Sequence, residues 1–138
     1  MKLFRDYAII TIDDDINYSP DTFETLYNNY LDYPNIIMGR RSHYFNYRIN
    51  GELKTYSKWR LEQKKITEPD FNTFLTGVGG ILYPPDILNI NEHFKYLVNE
   101  LITSDDLVLK YFSIRKGIAS KWIKNNKLSG KGFIIDGV

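Results

Sequence analysis

Three consecutive aspartates, Asp13, Asp14 and Asp15, have the residue type and spacing best suited to chemistry in this sequence. They follow an apolar, β-branched run from Tyr7 to Ile12, which is typical of a strand buried on both faces of a sheet. Adjacent carboxylates repel one another, and a bound cation removes that cost. Their hard oxygen atoms favour Mg²⁺ or Mn²⁺, which commonly bridges to phosphate oxygens. The alternative is a polar turn with solvated acids, and spacing alone does not decide between the two.

A second acidic pair, Asp105 and Asp106, follows Ser104 at a predicted helix start. Acids in a first helical turn commonly do no more than interact with the helix dipole and its free amides. A carboxylate held there would also stay ionised, as a general base must. The pair is therefore a candidate base, with helix capping as the alternative.

A glycine-rich segment, Gly77, Gly79 and Gly80, precedes Tyr83 and two prolines. It predicts a backbone bend at a place where side chains would be in the way. One use of such a bend is the close approach of a ligand to the main chain, and the other is a bulge or a tight strand crossing. The glycine spacing matches neither the dinucleotide fingerprint nor a P-loop.

Aromatic and basic residues offer weaker signals. Trp59 and the tyrosines around a hairpin turn predicted at Asn50 and Gly51 could stack on a sugar ring, although such residues are more often core. His43 and His93 share no metal-ligand spacing. Residues 110–131 carry seven Lys or Arg and no acid, which predicts a solvated basic face, and no nucleic-acid motif is present.

The elements that must position these residues alternate between strands and helices, which predicts an α/β fold with a mixed sheet flanked by helices. A first helix is predicted to start at Ser19 and Pro20 and to end at Pro34. Its predicted core face consists of Phe23, Leu26, Tyr27 and Tyr30. Strands are predicted at 35–39, 73–75 and 81–83, and helices at 91–101 and 105–116, the last with Gly117 as its stop.

Composition sets the class of protein. The 138 residues amount to one domain, and a net charge of +1 identifies no partner. The absence of cysteine excludes a disulfide scaffold and a thiolate metal site. No apolar run approaches the roughly 18 residues of a membrane span, and acids stand where a secretory signal would need a cleavage site. We therefore expect a cytoplasmic protein, free or peripheral at the inner face of the membrane.

Three segments, taken in order, resemble those of GT-A glycosyltransferases of the bacterial cell-surface polysaccharide type. Residues 9–18 are similar to the strand that carries the family's DxD motif. Residues 77–85 are similar to its glycine-rich segment, and residues 104–110 resemble its acidic pair and following helix. The resemblance implies transfer of a sugar from a nucleotide-diphosphate sugar, most simply a UDP-sugar, to a hydroxyl of a glycan or other acceptor, with inversion at the anomeric carbon.

The resemblance also implies roles for individual residues. Asp13 would lie near the ribose, and Asp15 or Asp14 would ligate Mn²⁺ or Mg²⁺. Asp105 or Asp106 would be the base that takes the proton of the acceptor hydroxyl. Room for the sugars would come from Gly79 and Gly80, and the implied donor and acceptor site also includes Tyr83 and Trp59.

One departure from the family pattern concerns the nucleotide-binding half of the fold, which normally precedes the DxD strand. Here only a short segment separates Met1 from Asp13. We therefore expect residues 1–138 to be a single, partial domain, the C-terminal, acceptor-side half of a GT-A-like fold. Such a chain is expected to self-associate or to be completed by a partner subunit.

Two alternatives stay open. The first is a catalytically inactive remnant or carbohydrate-binding module of the same fold, in which aromatic residues hold a glycan. The second is a Mg²⁺-dependent phosphohydrolase similar to the haloacid dehalogenases, with Asp13 as nucleophile and Asp15 as acid. Against the second, Asn17 stands where that family usually has Thr or Val.

Overall fold

The computed structural model describes residues 6–87, 92–100, 105–124 and 134–135. Its elements, in chain order, are the strands and helices β1 (Ile9–Thr11), β2 (Ile16–Asn17), α1 (Asp21–Asp32), β3 (Ile37–Gly39), β4 (Ser42–Tyr44), β5 (Arg60–Leu61), β6 (Thr73–Leu75), β7 (Ile81–Tyr83), α2 (Glu92–Glu100), α3 (Asp105–Arg115), β8 (Ser120–Trp122) and β9 (Ile134–Ile135). The α/β class predicted from the sequence is therefore confirmed.

The main sheet is mixed and has the strand order β1-β7-β3-β8. Strand β7 pairs antiparallel with both β1 and β3, whereas β3 and β8 are parallel. Among the described strands β1 lies at an edge, and its residues are only partly buried. The expectation of a strand buried on both faces is therefore wrong, because β1 pairs with a described strand, β7, on one side only.

A second, antiparallel sheet has the order β5-β4-β6. The predicted turn at Asn50 and Gly51 is present between β4 and β5, and Gly51 has the positive φ of +86° that such turns require. The hairpin around this turn carries a single isolated bridge, between Tyr47 and Leu53, instead of an extended ladder. A third pairing joins β2 to β9 in antiparallel fashion.

Two apolar clusters lie on opposite faces of the main sheet, because neighbouring residues of a strand point to opposite sides. One cluster is formed by Leu26, Met38, Leu82 and Ile123, and thus joins α1 to the sheet. The other is formed by Ile37, Leu75, Ile81 and Tyr83, with Leu109 of α3 packed against it.

Helix α1 begins within two residues of the predicted start, and the backbone N–H of Thr22 donates to the carbonyl of Ser19 at 2.9 Å. Its predicted core face is wrong in part, since Leu26 is fully buried but Phe23 and Tyr27 are exposed. Thr22 is buried in their place.

Arg40 explains why Thr22 is buried. Its side chain is only 2% exposed, and its Nη1 donates to Thr22 Oγ1 at 2.6 Å and to Ser19 Oγ at 3.3 Å. A buried guanidinium requires such acceptors. The buried stripe of α1 is therefore part polar and shifts away from the most apolar side of the helix.

Helix α3 ends as predicted. Gly117 adopts φ +70°, and its N–H donates to the carbonyl of Ile114 at 2.9 Å, in the manner of a glycine helix stop. Within the helix, Lys110 is buried and its Nζ donates to Ser120 Oγ at 3.1 Å. Lys110 therefore does not belong to the solvated basic face predicted for residues 110–131.

Several expectations fall on residues outside the described ranges: Ser104 as a helix cap, the first and last residues of the helix predicted at 91–101, and two of the seven basic positions, Lys127 and Lys131. In the described part of the chain, none of the helices has the length and apolar character that crossing a bilayer would require.

Candidate active site

The pairing of β1 with β7 brings the first aspartate to the glycine-rich bend. Thr11 at the end of β1 stands opposite Ile81 at the start of β7. The residues that follow β1 therefore lie beside those that precede β7, namely a single turn of 3₁₀ helix, Gly77–Gly79. Asp13 is thereby placed next to Gly77.

Two carboxylates from distant parts of the chain meet at Gly77. Its backbone N–H donates to Asp106 Oδ2 at 3.0 Å. A Cβ atom built on Gly77 would lie 2.7 Å from Asp13 Oδ1 and 3.6 Å from Asp106 Oδ1. The side-chain oxygens of both acids therefore occupy the side of Gly77 that a larger residue would fill.

The Tyr18 hydroxyl links Asp13 to Gly77. The backbone N–H of Asp13 donates to the Tyr18 hydroxyl oxygen at 2.9 Å, and that hydroxyl donates to the Gly77 carbonyl at 3.2 Å. The side chain thus ties the segment after β1 to the glycine bend. Nothing in the sequence pattern assigned Tyr18 this role, since its partners are a backbone amide and a carbonyl.

Electrostatic repulsion is concentrated here. Burial raises the pKa of Asp13, and the charges of Asp15, Asp105 and Asp14 raise it further. The pKa of Asp106 rises to about 6, first through burial and then through Asp105 and Asp13, while the N–H of Gly77 partly opposes the shift. Aspartates from both acidic segments therefore act on one another in a single negative field.

The predicted metal ligands are placed unequally. Asp13 is partly buried, whereas Asp14 and Asp15 are exposed in the turn between β1 and β2. Within the described ranges, no three His, Cys, Asp or Glu side chains converge closely enough to hold a metal ion by themselves. A divalent cation nevertheless fits the donor set, because Mg²⁺ commonly uses one or two carboxylates together with substrate phosphates and water.

The backbone conformation also requires glycine at positions 79 and 80. A Cβ on Gly79 would lie 2.4 Å from the backbone nitrogen of Arg41, so a close crossing of two chain segments requires glycine there. Gly80 has φ +74°, which L side chains rarely adopt. Tyr83, which the resemblance placed in the binding site, is 3% exposed and belongs to the core cluster behind the bend.

A cluster of aromatic rings consists of Phe45, Tyr56, Trp59 and Phe74. Trp59 is held inside it, 4.7 Å from the Phe45 ring, and its indole N–H donates to the carbonyl of Lys54.

The exposed ring of this cluster is Tyr56, at 52%. Its hydroxyl lies 3.2 Å from His43 Nδ1. Burial raises the pKa of Tyr56, the charge of Arg41 lowers it, and that of Asp106 raises it again. Tyr56 therefore lies within electrostatic reach of the acid. The sequence pattern includes it among the hairpin tyrosines that could stack on a sugar ring, but gives no sign of its closeness to Asp106.

The chain matches no known family model, and no curated protein sequence matches it. The case for a function therefore depends on the geometry and electrostatics of these residues.

Proposed function

We propose that this protein is a metal-dependent glycosyltransferase, which transfers a sugar from a nucleotide-diphosphate sugar to a hydroxyl acceptor. One observation is the main support for the proposal. Asp13 and Asp106 come from distant segments of the chain, and both have side-chain oxygens on the same side of Gly77. An acid that accepts a proton and an acid that faces a cation are both required beside the reacting carbon in such a transfer.

Asp13, with Asp15 or Asp14 from the adjoining turn, would hold the cation on the donor side. Bound Mg²⁺ or Mn²⁺ supplies neutralisation of the charge that develops on the leaving diphosphate. Burial raises the pKa of Asp13 and the neighbouring acids raise it further; the part that is due to repulsion supports this assignment, because a cation relieves it. The tether from Tyr18 keeps Asp13 beside the bend before any ligand arrives.

Asp106 would be the general base. Among the described residues, the N–H of Gly77 is bonded to one of its oxygens, Oδ2, and Oδ1 would face the acceptor. As the acceptor oxygen bonds to the anomeric carbon, the bond from that carbon to the diphosphate oxygen breaks and the hydroxyl proton passes to Oδ1. A pKa of about 6 suits this task, since the group is mostly ionised at neutral pH yet more basic than an ordinary aspartate.

The test is calorimetric titration of UDP and UDP-sugars into the protein with and without Mn²⁺, together with a hydrolysis or transfer assay. We expect metal-dependent binding that Asp13→Asn abolishes and Asp106→Asn retains, whereas turnover is lost in both variants. Asp32→Asn, which removes an exposed carboxylate at the end of α1, is the matched control and should change neither.

A non-catalytic glycan-binding module is the second candidate, and the half-exposed ring of Tyr56, within electrostatic reach of Asp106, favours it. This module would be supported, and the transferase contradicted, by two results together. Glycan affinity would be the same with and without Mn²⁺ and in Asp13→Asn, and no nucleotide sugar would be turned over. The phosphohydrolase alternative has less support, because Asn17 stands where that family usually has Thr or Val.

A further inference from the structure

Arg40 joins the glycine bend to the residue that follows Tyr18. Its backbone N–H donates to the carbonyl of Gly80 at 3.4 Å, and its Nη1 donates to Ser19 Oγ at 3.3 Å. Tyr18 precedes Ser19, and its hydroxyl donates to the carbonyl of Gly77 in the same bend. Two links therefore hold the segment before α1 against the bend, one through Tyr18 and one through Arg40.

Contacts from two residues fix Ser19 at the start of α1. Its carbonyl accepts the backbone N–H of Thr22 at 2.9 Å, and its Oγ lies 3.2 Å from Thr22 Oγ1. Arg40 Nη1 donates to both hydroxyl oxygens, at 2.6 Å in the case of Thr22. Because Ser19 and Tyr18 are adjacent in the chain, the contacts of Ser19 also restrict where the Tyr18 hydroxyl can lie.

Burying the charge of Arg40 costs free energy that an apolar side chain would avoid. The side chain is 2% exposed, and its Nε has no hydrogen-bond partner among the described residues. Its ion pair with Asp21 is long, at 3.9 Å, whereas charge-assisted hydrogen bonds are commonly about 2.7–2.9 Å. Packing alone therefore does not explain an arginine at this position, whereas the placement of two hydroxyl groups does.

We propose that Arg40 is a positioning residue of the candidate site. It orients Ser19, the adjoining Tyr18 keeps its hydroxyl on the glycine bend, and that hydroxyl accepts the backbone N–H of Asp13 at 2.9 Å. Asp13 is thereby held in place through a chain of contacts that starts at a buried charge. The positioning stands on these contacts alone, and its consequence for donor binding rests on the proposed function.

Hydrogen exchange of the Asp13 backbone amide, followed by ¹⁵N NMR on the protein without metal or nucleotide, measures this positioning. The variant Arg40→Met/Thr22→Val removes the buried charge together with its shortest hydrogen-bond partner. We expect Asp13 to exchange about tenfold faster, which is the effect of one lost hydrogen bond. The amide of Asp70, which donates to the carbonyl of Ser120, should keep its rate.

Arg48→Met is the matched control. It removes an exposed arginine and its ion pair with Glu52 in the hairpin, and it should change neither exchange rate.

Two further variants separate positioning from a general loss of packing. Ser19→Ala leaves Arg40 its contacts with Thr22 and Asp21, so the buried charge stays paired, and Asp13 should still exchange about threefold faster. Tyr18→Phe removes the tether itself. Combined with Arg40→Met/Thr22→Val it should add no further acceleration, because both changes act on one contact.

Three results would each overturn the proposal: unchanged Asp13 exchange in folded Ser19→Ala or Arg40→Met/Thr22→Val, equal acceleration at Asp70, or additive effects of the Tyr18 and Arg40 changes. Titration of UDP with Mn²⁺ tests the consequence for the donor. We expect about tenfold weaker binding in Arg40→Met/Thr22→Val and wild-type affinity in Arg48→Met. If the wild type itself binds no UDP, the transferase is contradicted, and the exchange rates still decide whether Arg40 positions Asp13.

Discussion

Asp106 is the residue at which function and stability oppose each other. In the folded protein its pKa is about 6, against 3.8 for an ordinary aspartate, and burial is the main cause. Because the folded state then binds the proton more tightly than the unfolded state does, the stabilisation from this group is present at low pH. It is lost as the pH rises from about 4 through about 6.

We therefore expect Asp106→Asn to be more stable than the wild type at pH 7.5, with the difference shrinking toward pH 4. Asparagine keeps an oxygen that can accept the N–H of Gly77, so the local hydrogen bond survives. Thermal unfolding across this pH range measures the effect, and Asp32→Asn serves as the reference. A constant offset at all pH values would show that the side chain acts through packing and not through its charge.

Gly77 and Gly79 should respond differently to substitution by alanine. In Gly77→Ala the new methyl group meets the mobile carboxylate of Asp13 at 2.7 Å, whereas in Gly79→Ala it meets backbone at 2.4 Å. We expect Gly77→Ala to displace Asp13 and abolish metal-dependent donor binding, with only a small loss of melting temperature.

Gly79→Ala should instead lower the melting temperature by many degrees, because two chain segments must separate. Circular dichroism melts and calorimetric titration with UDP and Mn²⁺ measure both variants. Full donor binding in a folded Gly77→Ala protein would contradict the placement of the site.

At the scale of elements, α1 packs on the sheet through one fully buried apolar residue. Leu26 is 0% exposed and packs with Met38 and Leu82, whereas Leu31 on the same helix is 59% exposed. We expect Leu26→Ala to lower the free energy of unfolding by about 2–5 kcal/mol. The matched change Leu31→Ala should stay within about 0.5 kcal/mol. Urea denaturation of the two variants provides the comparison, and similar losses in both would contradict this packing.

Elements whose signals are local could be predicted from the sequence. The strands β3, β6 and β7, the glycine bend between the last two, and the stop of α3 at Gly117 depend on short runs of residue types, and the structure confirms them. Strand β8 was missed, because its pattern lies within a lysine-rich stretch and its burial depends on parallel pairing with a distant strand.

The errors share one physical cause, which is that tertiary partners decide burial. Nothing near Arg40 in the sequence shows that Thr22 will accept its hydrogen bond, so the predicted core face of α1 does not include Thr22. Likewise, the burial of Lys110 depends on Ser120. At the site, the acidic segments and the hairpin tyrosines are visible as sequence patterns, but the interactions of Tyr18 and Tyr56 with the site are not, since these arise only between distant segments.

At the scale of the whole molecule, Asp13 and Asp106 come from distant segments of the chain and lie in one negatively charged region. Beyond the effect of burial, Asp105 raises the pKa of Asp13 there, and Asp13 raises that of Asp106. Binding of a cation there should stabilise the fold, by about 2.7 kcal/mol when the cation concentration is 100 times its Kd. We expect Mn²⁺ or Mg²⁺ to raise the melting temperature of the wild type and of Asp32→Asn, but not of Asp13→Asn. Scanning fluorimetry with Na⁺ at matched ionic strength separates this effect from general screening, and an equal rise in all three proteins would contradict a site at Asp13.

Cleavage at the turn at Asn50 and Gly51 would divide the chain into two fragments. In the part of the chain that the structure describes, each of the six strand pairings joins a strand before this turn to one after it. The tip itself is exposed, and a Cβ on Gly51 would meet nothing within 4 Å. A protein severed there would remain associated through its sheets, as two complementing fragments. Asp13 belongs to one fragment and Asp106 to the other, so neither fragment carries the site alone, and function would report their reassembly.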